Sequence, residues 1–253
     1  GGKAISVDDA AAKAMTGVKA VVTTTSGIAV VADSSWRALR ARDALKITWE
    51  AGPNAQLNNA GILQGLRRAS AGTGRSARKD GDADAAMAAA AKAGGRVLRA
   101  EYELPLLAHA ALGTQNGTAG VRADGCDVCA PTQIQVVAQA VAATAAGLKP
   151  EQVNVHTTFL GGGFGRRLEV DFIPAAVEVS KAVGKPVKLQ WTREDDMRHD
   201  AYRPPALDQA SAAFDKDGKL VAWKLKLTSP SITARLFPEV VETAIDPFVI
   251  EAA

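Results

Sequence analysis

Four glycines within residues 161–165 constrain this chain more than any other feature. Alternating apolar residues in 153–159 predict a strand before them, and apolar residues spaced by three and four in 169–183 predict a helix after them. Glycine has no Cβ, so this connection can adopt positive φ and can lie against another molecule. Successive amides in such a loop bind anionic atoms, and Arg166 and Arg167 add two positive charges. The stretch therefore predicts a binding loop or, alternatively, a tight turn with surface arginines.

Two well-known glycine loops do not fit this spacing. A P-loop ends in Gly-Lys-Ser/Thr, whereas Gly165 is followed by Arg-Arg-Leu. The dinucleotide fingerprint Gly-x-Gly-x-x-Gly fails as well, because Gly163 is followed directly by Phe164 and Gly165. The loop is thus of another kind, and a stand-alone module that binds anions or nucleotides through Gly161–Arg167 stays an alternative.

Composition argues against two classes of partner. The 253 residues carry a formal net charge of +3, and aromatic residues make up only 5%. Lysines and arginines are spread along the chain with no basic stripe between aromatics, so we expect no nucleic-acid partner. No apolar run approaches the roughly 18 residues of a membrane helix, so we expect no membrane span. The chain begins without a methionine or a signal peptide, and we expect it to be part of a longer protein.

The order of predicted elements divides the chain into three segments. Residues 1–50 form a small unit with the order strand, strand, helix, strand, and residues 51–95 form a linker with two short helices. Residues 96–253 form a second domain, in which strands and helices alternate around a mixed sheet. The fold class is therefore α+β, or mixed α/β. The main predicted elements are strands 18–25, 27–32, 45–49 and 97–104, helices 36–44, 57–70, 83–93 and 133–146, a hairpin around Gly125, and antiparallel strands 207–214 and 220–227.

Several polar residues are candidates for chemistry. Gln133 lies at a predicted strand-to-helix junction capped by Thr132, and its amide can both donate and accept hydrogen bonds. His109, among small apolar residues, is either a structural histidine or a general base. We expect His156 to be packed in its strand or at an edge. His199 and the acidic run Glu194-Asp195-Asp196 are expected at the surface; the run is either a charged turn or a divalent-cation site.

The two cysteines form one Cys-x-x-Cys pair, Cys126 and Cys129. Zinc needs two further ligands, and the histidines are not spaced as a zinc knuckle. A redox pair opens a helix, whereas these residues follow a predicted hairpin turn. Residues three apart on a strand point to opposite faces, which disfavours a disulfide. We therefore expect two unrelated strand cysteines.

A resemblance to known proteins is carried by residues 159–172, which have the sequence FLGGGFGRRLEVDF. They resemble the molybdenum-binding large subunits of the xanthine dehydrogenase and aldehyde oxidase family, in the branch of the isoquinoline 1-oxidoreductase β-subunits. The resemblance is strong from Tyr102 to about Ser229. Before Ala51 it is looser, where residues 27–36 are similar to the small hammerhead-like domain of the family.

The resemblance implies an activity, a cofactor and partners. In this family the domain after the small one holds molybdopterin cytosine dinucleotide, and the molybdenum centre hydroxylates a carbon next to nitrogen, or an aldehyde carbon, with oxygen from water. Electrons leave through a small [2Fe–2S] partner subunit. Members of the isoquinoline-like branch often carry an export signal and pass electrons to a cytochrome c. The compartment is therefore left open between periplasm and cytoplasm.

The resemblance also implies site residues. The family glutamine beside the molybdenum oxo ligand matches Gln133, and the amides that approach the metal's ligands match Gly163, Phe164 and Gly165. The cofactor-binding set is then Gln133, Gly162, Gly163, Phe164, Gly165 and Arg166. We expect no metal ligand and no catalytic residue in this chain, because the base glutamate of the family is expected beyond Ala253; the chain alone is then inactive.

The chain also departs from the family pattern. The glutamate that holds purines is absent from the position after the loop, where Arg167 and Leu168 stand, so we expect no purine selectivity. The Met-Glu-Pro of the isoquinoline branch is also missing: after Ala-His-Ala this chain has Ala111-Leu112-Gly113-Thr114. Cys129 stands where that branch tends to have tryptophan. These positions leave the substrate open.

Overall fold

The structure is a computed structural model that describes residues 2–236, 238–241 and 245–250. Its strands are β1 Lys3–Asp8, β2 Val18–Thr24, β3 Gly27–Ala32, β4 Lys46–Glu50, β5 Arg96–Leu104, β6 Asn116–Val121, β7 Cys126–Ala130, β8 Val153–Thr157, β9 Val187–Gln190, β10 Ala206–Phe214 and β11 Leu220–Thr228. Its helices are α1 Ala10–Lys13, α2 Ser35–Asp43, α3 Asn59–Ser70, α4 Ala83–Lys92, α5 Gln135–Ala146, α6 Phe172–Val183, α7 Arg193–Arg198, α8 Ile232–Leu236, α9 Pro238–Val241 and α10 Pro247–Ile250. Within the described ranges, no helix is long and apolar enough to span a membrane.

Two compact units make up the fold, and each combines two stretches of the chain. The first contains Gly1–Gln56 and Ala108–Ala201, and the second contains Leu57–Leu107 and Tyr202–Ala253. The α+β class is confirmed. The predicted domain boundaries at residues 50 and 95 stay a prediction, because compact units of a fold and the domains of a family can differ.

The first stretch of unit one contains the predicted order strand, strand, helix, strand. These elements are β2, β3, α2 and β4, and the Ser34 hydroxyl caps α2 by accepting a hydrogen bond from the N–H of Arg37. Two elements precede them that the sequence did not predict: β1, which pairs antiparallel with β4, and the single turn α1. The alternation in β1 is weak because most of its residues are exposed, so periodicity does not reveal it.

The second stretch of unit one is a four-stranded mixed sheet in the order β8-β7-β6-β9. β7 and β8 are parallel and α5 connects them, whereas β6 pairs antiparallel with both β7 and β9. Small alanines spaced by three and four along α5 let it pack closely with α6 in the core. The buried residues of this core include Val128, Ala138, Ala142, Val153, Phe172, Ile173, Ala176 and Val177.

The connections around the sheet differ from prediction at two helix starts. α5 begins at Gln135 rather than at 133, because the Thr132 hydroxyl accepts from the N–H of Ile134 and holds a turn before the helix. α6 begins at Phe172 rather than at 169, because a 3-10 turn, Arg166–Leu168, comes between the glycine loop and the helix. The loop therefore leads into a tight turn and not directly into the start of a long helix.

Unit two contains the antiparallel sheet β11-β10-β5. The long strands β10 and β11 are confirmed as an antiparallel pair. The two helices predicted within residues 51–95 are present as α3 and α4. They pack against this sheet, and Met87 and Ala90 of α4 share a small core with Ala213 and Ala222.

Candidate functional site

The glycine loop, residues 161–165, has an unusual backbone. Its φ angles are +65° at Gly161, +97° at Gly162, +54° at Phe164 and +98° at Gly165. Among the described residues, none of the five backbone N–H groups of the loop donates a hydrogen bond to the protein. Buried and half-buried amides are normally paired, so a row of unpaired donors is a place where water or a ligand binds.

The loop lies at the surface of unit one. Phe164 is 70% exposed. Its φ is also positive, and this conformation costs free energy for any residue with a Cβ. Phe159, just before the loop, is fully exposed, whereas Gly163 is buried. One part of the loop therefore faces solvent and another lies against the protein.

The side chain of Arg167 stabilises the loop through hydrogen bonds. Its side chain is completely buried, and its Nε donates to the Gly162 carbonyl at 3.1 Å. Its Nη2 donates to the Gly113 carbonyl at 2.7 Å, and its Nη1 donates to Gln115 Oε1 at 3.1 Å. Burial lowers the pKa of this guanidinium, and Asp196 partly offsets the effect. Arg167 thus ties three stretches of chain together.

Arg166 is buried too, and its charge is balanced inside the protein. Its two terminal nitrogens donate to the Asp171 carboxylate at 2.9 and 3.0 Å. Its Nε lies 2.9 Å from Asp200 Oδ1 in an ion pair, and its guanidinium stacks on the Trp191 ring. The alternative prediction, a tight turn with Arg166 and Arg167 at the surface, is therefore wrong about these two side chains. Arginine is normally exposed, and the sequence gives no sign of the distant carboxylate that allows Arg166 to be buried.

Gln133 lies in contact with the loop. Its Oε1 accepts a hydrogen bond from the N–H of Arg167 at 3.2 Å, and its own N–H donates to the Arg167 carbonyl at 3.1 Å. A Cβ built on Gly163 would lie 2.5 Å from Gln133 Oε1, so position 163 has no room for a side chain. The Nε2 of this exposed residue has no hydrogen-bonding partner among the described residues. The structure thus brings Gln133, the glycines and the backbone of Arg166 together.

His109 lies on the other side of the loop. Its N–H donates to Asp200 Oδ2 at 2.5 Å, and its Nδ1 lies 3.1 Å from both oxygens of that carboxylate. The side chain of His109 is 9% exposed and that of Asp200 only 2%. The sequence did not single out Asp200, which is 91 positions from His109 and stands in a run of polar residues. No spacing rule detects such a pair.

The other two histidines lie away from the loop. His156 is exposed on β8, and its Nε2 is 3.4 Å from Asp127 Oδ1. Hydrogen bonds from Arg122, Asn154 and His156 lower the pKa of Asp127 to about 2. His199 is exposed, and its ring packs edge-on against Trp191 with the centroids 5.4 Å apart.

The acidic run forms a helix, α7, rather than a turn. The Thr192 hydroxyl caps this helix by accepting a hydrogen bond from the N–H of Asp195 at 3.2 Å. The charged residues that follow Thr192 make this cap difficult to recognise in the sequence. Asp195 pairs with Arg42 at 2.8 Å and Asp196 with Arg193 at 2.8 Å. In the described part of the chain, no three potential ligands cluster to hold a metal ion. Asp195 and Asp196 are therefore used in ion pairs.

The cysteines are free thiols on opposite faces of β7, as expected from their spacing. Cys126 is buried and Cys129 is exposed. Burial raises the pKa of the Cys126 thiol above its usual value. Neither forms a disulfide, and the prediction of unrelated strand cysteines is confirmed.

A large cavity of unit one does not contain the loop. It has a volume of about 900 Å³ and lies between β3, α2, β9 and α7. Trp191 and His199 line it, but neither Gln133 nor any residue of the glycine loop does. The row of unpaired amides is thus an open surface feature and not the floor of this cavity.

Comparison with known proteins relates the chain to molybdenum enzymes. The model of the molybdopterin cofactor-binding domain matches residues 69–243. Isoquinoline 1-oxidoreductase subunit beta of Brevundimonas diminuta is 31% identical over 92% of this chain and 31% of its own length. A membrane-bound aldehyde dehydrogenase (pyrroloquinoline-quinone) of Gluconacetobacter polyoxogenes is 29% identical over 97% of this chain and 33% of its own length. The chain spans a third or less of the length of these curated relatives.

Solved structures share the fold. Quinoline 2-oxidoreductase from Pseudomonas putida 86 superposes with a TM-score of 0.65 at 19% identity, over 89% of this chain and 34% of that chain. The aldehyde oxidoreductase from Desulfovibrio gigas gives a TM-score of 0.61 at 18% identity, over 89% and 29% of the two chains. At these identities the likeness establishes the architecture only.

Proposed function

Because the chain belongs to the molybdopterin cofactor-binding domain family, we propose that its glycine loop and Gln133 hold a molybdenum–molybdopterin cofactor. The observation that carries the proposal is the row of five unpaired N–H groups in 161–165, with the carboxamide of Gln133 directly beside it. The finer form, molybdopterin cytosine dinucleotide, is part of the proposal.

The residues present fit such a group. The unpaired N–H groups of the loop are hydrogen-bond donors, which suit the electronegative atoms of an anionic cofactor. Gln133 uses its Oε1 on the N–H of Arg167 and so keeps its Nε2 for a further acceptor. A side chain at position 163 would displace Gln133, so glycine there keeps both sets of donors accessible. When bound, the cofactor supplies the oxidation of a substrate carbon with oxygen derived from water.

The protein's own part in this chemistry is to bind and to orient. Arg167 fixes the loop through the Gly162 carbonyl and fixes Gln133 through its backbone N–H. The family resemblance implies Arg166 as a cofactor-binding residue, but its guanidinium faces Asp171 and Asp200. We therefore propose that Arg166 positions these carboxylates and contributes only backbone atoms to the site. Such preorganised donors need no rearrangement when the cofactor binds.

The relatives' names, which include isoquinoline, aldehyde and nicotinate, support a proposal for the substrate class. We propose that the whole protein oxidises an N-heterocycle or an aldehyde and passes electrons to a small [2Fe–2S] subunit, with a cytochrome c as a further acceptor. We also propose that this chain alone is inactive, since it corresponds to a third or less of each relative. The alternative is a stand-alone anion or nucleotide site. It is weakened because Arg166 and Arg167 are buried, so their positive charges are not exposed to a ligand.

Metal analysis of the complete polypeptide tests the proposal. The protein is expressed in a host that makes the cofactor, as wild type, Gly163→Ala and the control Gly65→Ala. Gly65 is in α3, and a Cβ there meets nothing within 4 Å. We expect stoichiometric molybdenum in wild type and control, and a large loss in Gly163→Ala.

Two results would contradict the proposal. One is a wild-type protein that binds pyrroloquinoline quinone and no molybdenum. The other is a Gly163→Ala protein that retains full metal. Titration of the present chain with nucleotides tests the alternative, which requires tight binding without any further segment.

A further inference from the structure

We propose that His109 is a further binding residue of this site: its Nε2 accepts a hydrogen bond from an N–H or O–H group of the cofactor that the glycine loop holds. Asp200 is the positioning residue that fixes the imidazole ring. The inference rests on the proposed function and extends it by adding an acceptor to a site made of donors.

The Asp200 carboxylate determines which nitrogen of His109 carries the proton. A carboxylate only accepts hydrogen bonds, and Nδ1 lies 3.1 Å from both of its oxygens, so the proton is on Nδ1. The backbone N–H of His109 donates to the same carboxylate, so that ring and main chain are held together. Arg166 balances the charge of Asp200 from the other side. In the neutral imidazole, Nε2 is then the nitrogen that accepts a hydrogen bond.

The His109 side chain is largely buried, but its Nε2 keeps an open hydrogen-bonding position. The side chain is 9% exposed, and within the described residues Nε2 forms no hydrogen bond. This nitrogen is therefore available to water or to a ligand. A Cβ built on Gly165 would lie 3.8 Å from Nε2, so the vacant acceptor lies beside the loop.

Backbone strain marks the same place. Among described residues other than glycine, positive φ occurs at Ala110, with +47°, and at Phe164, with +54°. Ala110 follows His109 and Phe164 precedes Gly165, so both strained residues adjoin the two groups that face each other. Strained backbone persists where the surrounding structure enforces it, often at binding sites. A role limited to anchoring Asp200 explains Nδ1 and the backbone N–H, but not the unpartnered Nε2.

The chemistry of the ligand follows from the two sides of the site. The loop and Gln133 supply donors, and His109 supplies an acceptor. The group bound between them therefore has an accepting atom next to an N–H or O–H, as a lactam edge or a hydroxyl has.

The test separates the two nitrogens of His109. In His109→Asn the amide NH₂ can replace Nδ1–H towards Asp200, but the Nε2 atom is gone. In His109→Gln the longer side chain can reach the position of Nε2. Both variants and wild type are made as the complete polypeptide in a cofactor-producing host, and molybdenum and pterin content is measured after gel filtration at increasing dilution. We expect His109→Asn to melt like wild type but to retain cofactor about three- to tenfold less tightly, with partial recovery in His109→Gln.

The outcomes separate this inference from the proposed function. If wild type and His109→Asn retain cofactor equally, the inference fails and the proposed function stands. If wild type binds no molybdenum cofactor, both fail. A second measurement uses the present chain alone: ¹⁵N spectra of its three histidines should show the Nδ1–H tautomer for His109. The Nε2–H tautomer would overturn the inference whatever the variants show.

Discussion

Arg167→Met should destabilise the fold markedly, because it removes a fully buried guanidinium with little change in side-chain volume. Three oxygens then lose a donor within 3.1 Å: the half-buried Gly113 and Gly162 carbonyls and the buried Gln115 Oε1. Two longer contacts, to Pro131 at 3.4 Å and Thr114 at 3.3 Å, are lost as well.

The size of the effect follows from these contacts. Each buried acceptor left unpaired costs about 1–3 kcal/mol. Part of this loss is offset, because the substitution also removes a buried positive charge. Burial disfavours that charge, as the lowered pKa of Arg167 shows. We therefore expect unit one to lose about 3 kcal/mol of its free energy of unfolding.

Urea unfolding followed by tryptophan fluorescence measures this loss. Trp36, Trp49 and Trp191 belong to unit one, so a Trp223→Phe background makes the signal specific for that unit. The control is Arg122→Met, because the Arg122 side chain is 54% exposed and its ion pair with Asp127 lies at the surface. We expect a much smaller loss in the control, because solvent screens this exposed ion pair. A loss below about 1 kcal/mol in Arg167→Met would mean that water reaches these carbonyls and that the loop is not held by this residue.

Two further predictions concern single titratable groups. Burial alone would raise the pKa of Asp246, but hydrogen bonds from Ser231, Thr233 and the N–H of Phe248 outweigh it and lower the pKa to about 2. Since the unfolded value is about 3.9, this carboxylate stabilises the fold fully above about pH 4, and the stabilisation is lost as the pH falls towards about 2. The urea midpoint of wild type should therefore fall between these pH values more than that of Asp246→Asn, and parallel curves would contradict the assignment. For the cysteines, a thiol reagent at pH 8 should label Cys129 quickly and Cys126 only on unfolding; rapid labelling of both would show that β7 opens.

Local patterns predicted much of the fold. The strand β8, the loop and α6 follow from periodicity and from glycines, although the 3-10 turn at Arg166–Leu168 was missed because periodicity does not distinguish it from a first helical turn. β1 was missed because few of its residues are buried. The sequence predicts a turn in place of α7, because four successive charged residues hide the cap at Thr192.

The site was harder to predict because its parts are distant in sequence. Gln133 is 34 positions from Arg167, and only the resemblance to a family placed it near the loop. Arg167 is buried largely against backbone carbonyl groups. Since every residue has a carbonyl, the sequence cannot identify these partners. The pair of His109 and Asp200 is likewise a product of the fold.

The most direct test of the central claim is a crystal structure of the complete, cofactor-loaded protein. We expect cofactor atoms within hydrogen-bonding distance of the N–H groups of Gly163, Phe164 and Gly165 and of Gln133 Nε2. A cofactor bound elsewhere, with these donors facing water, would contradict it.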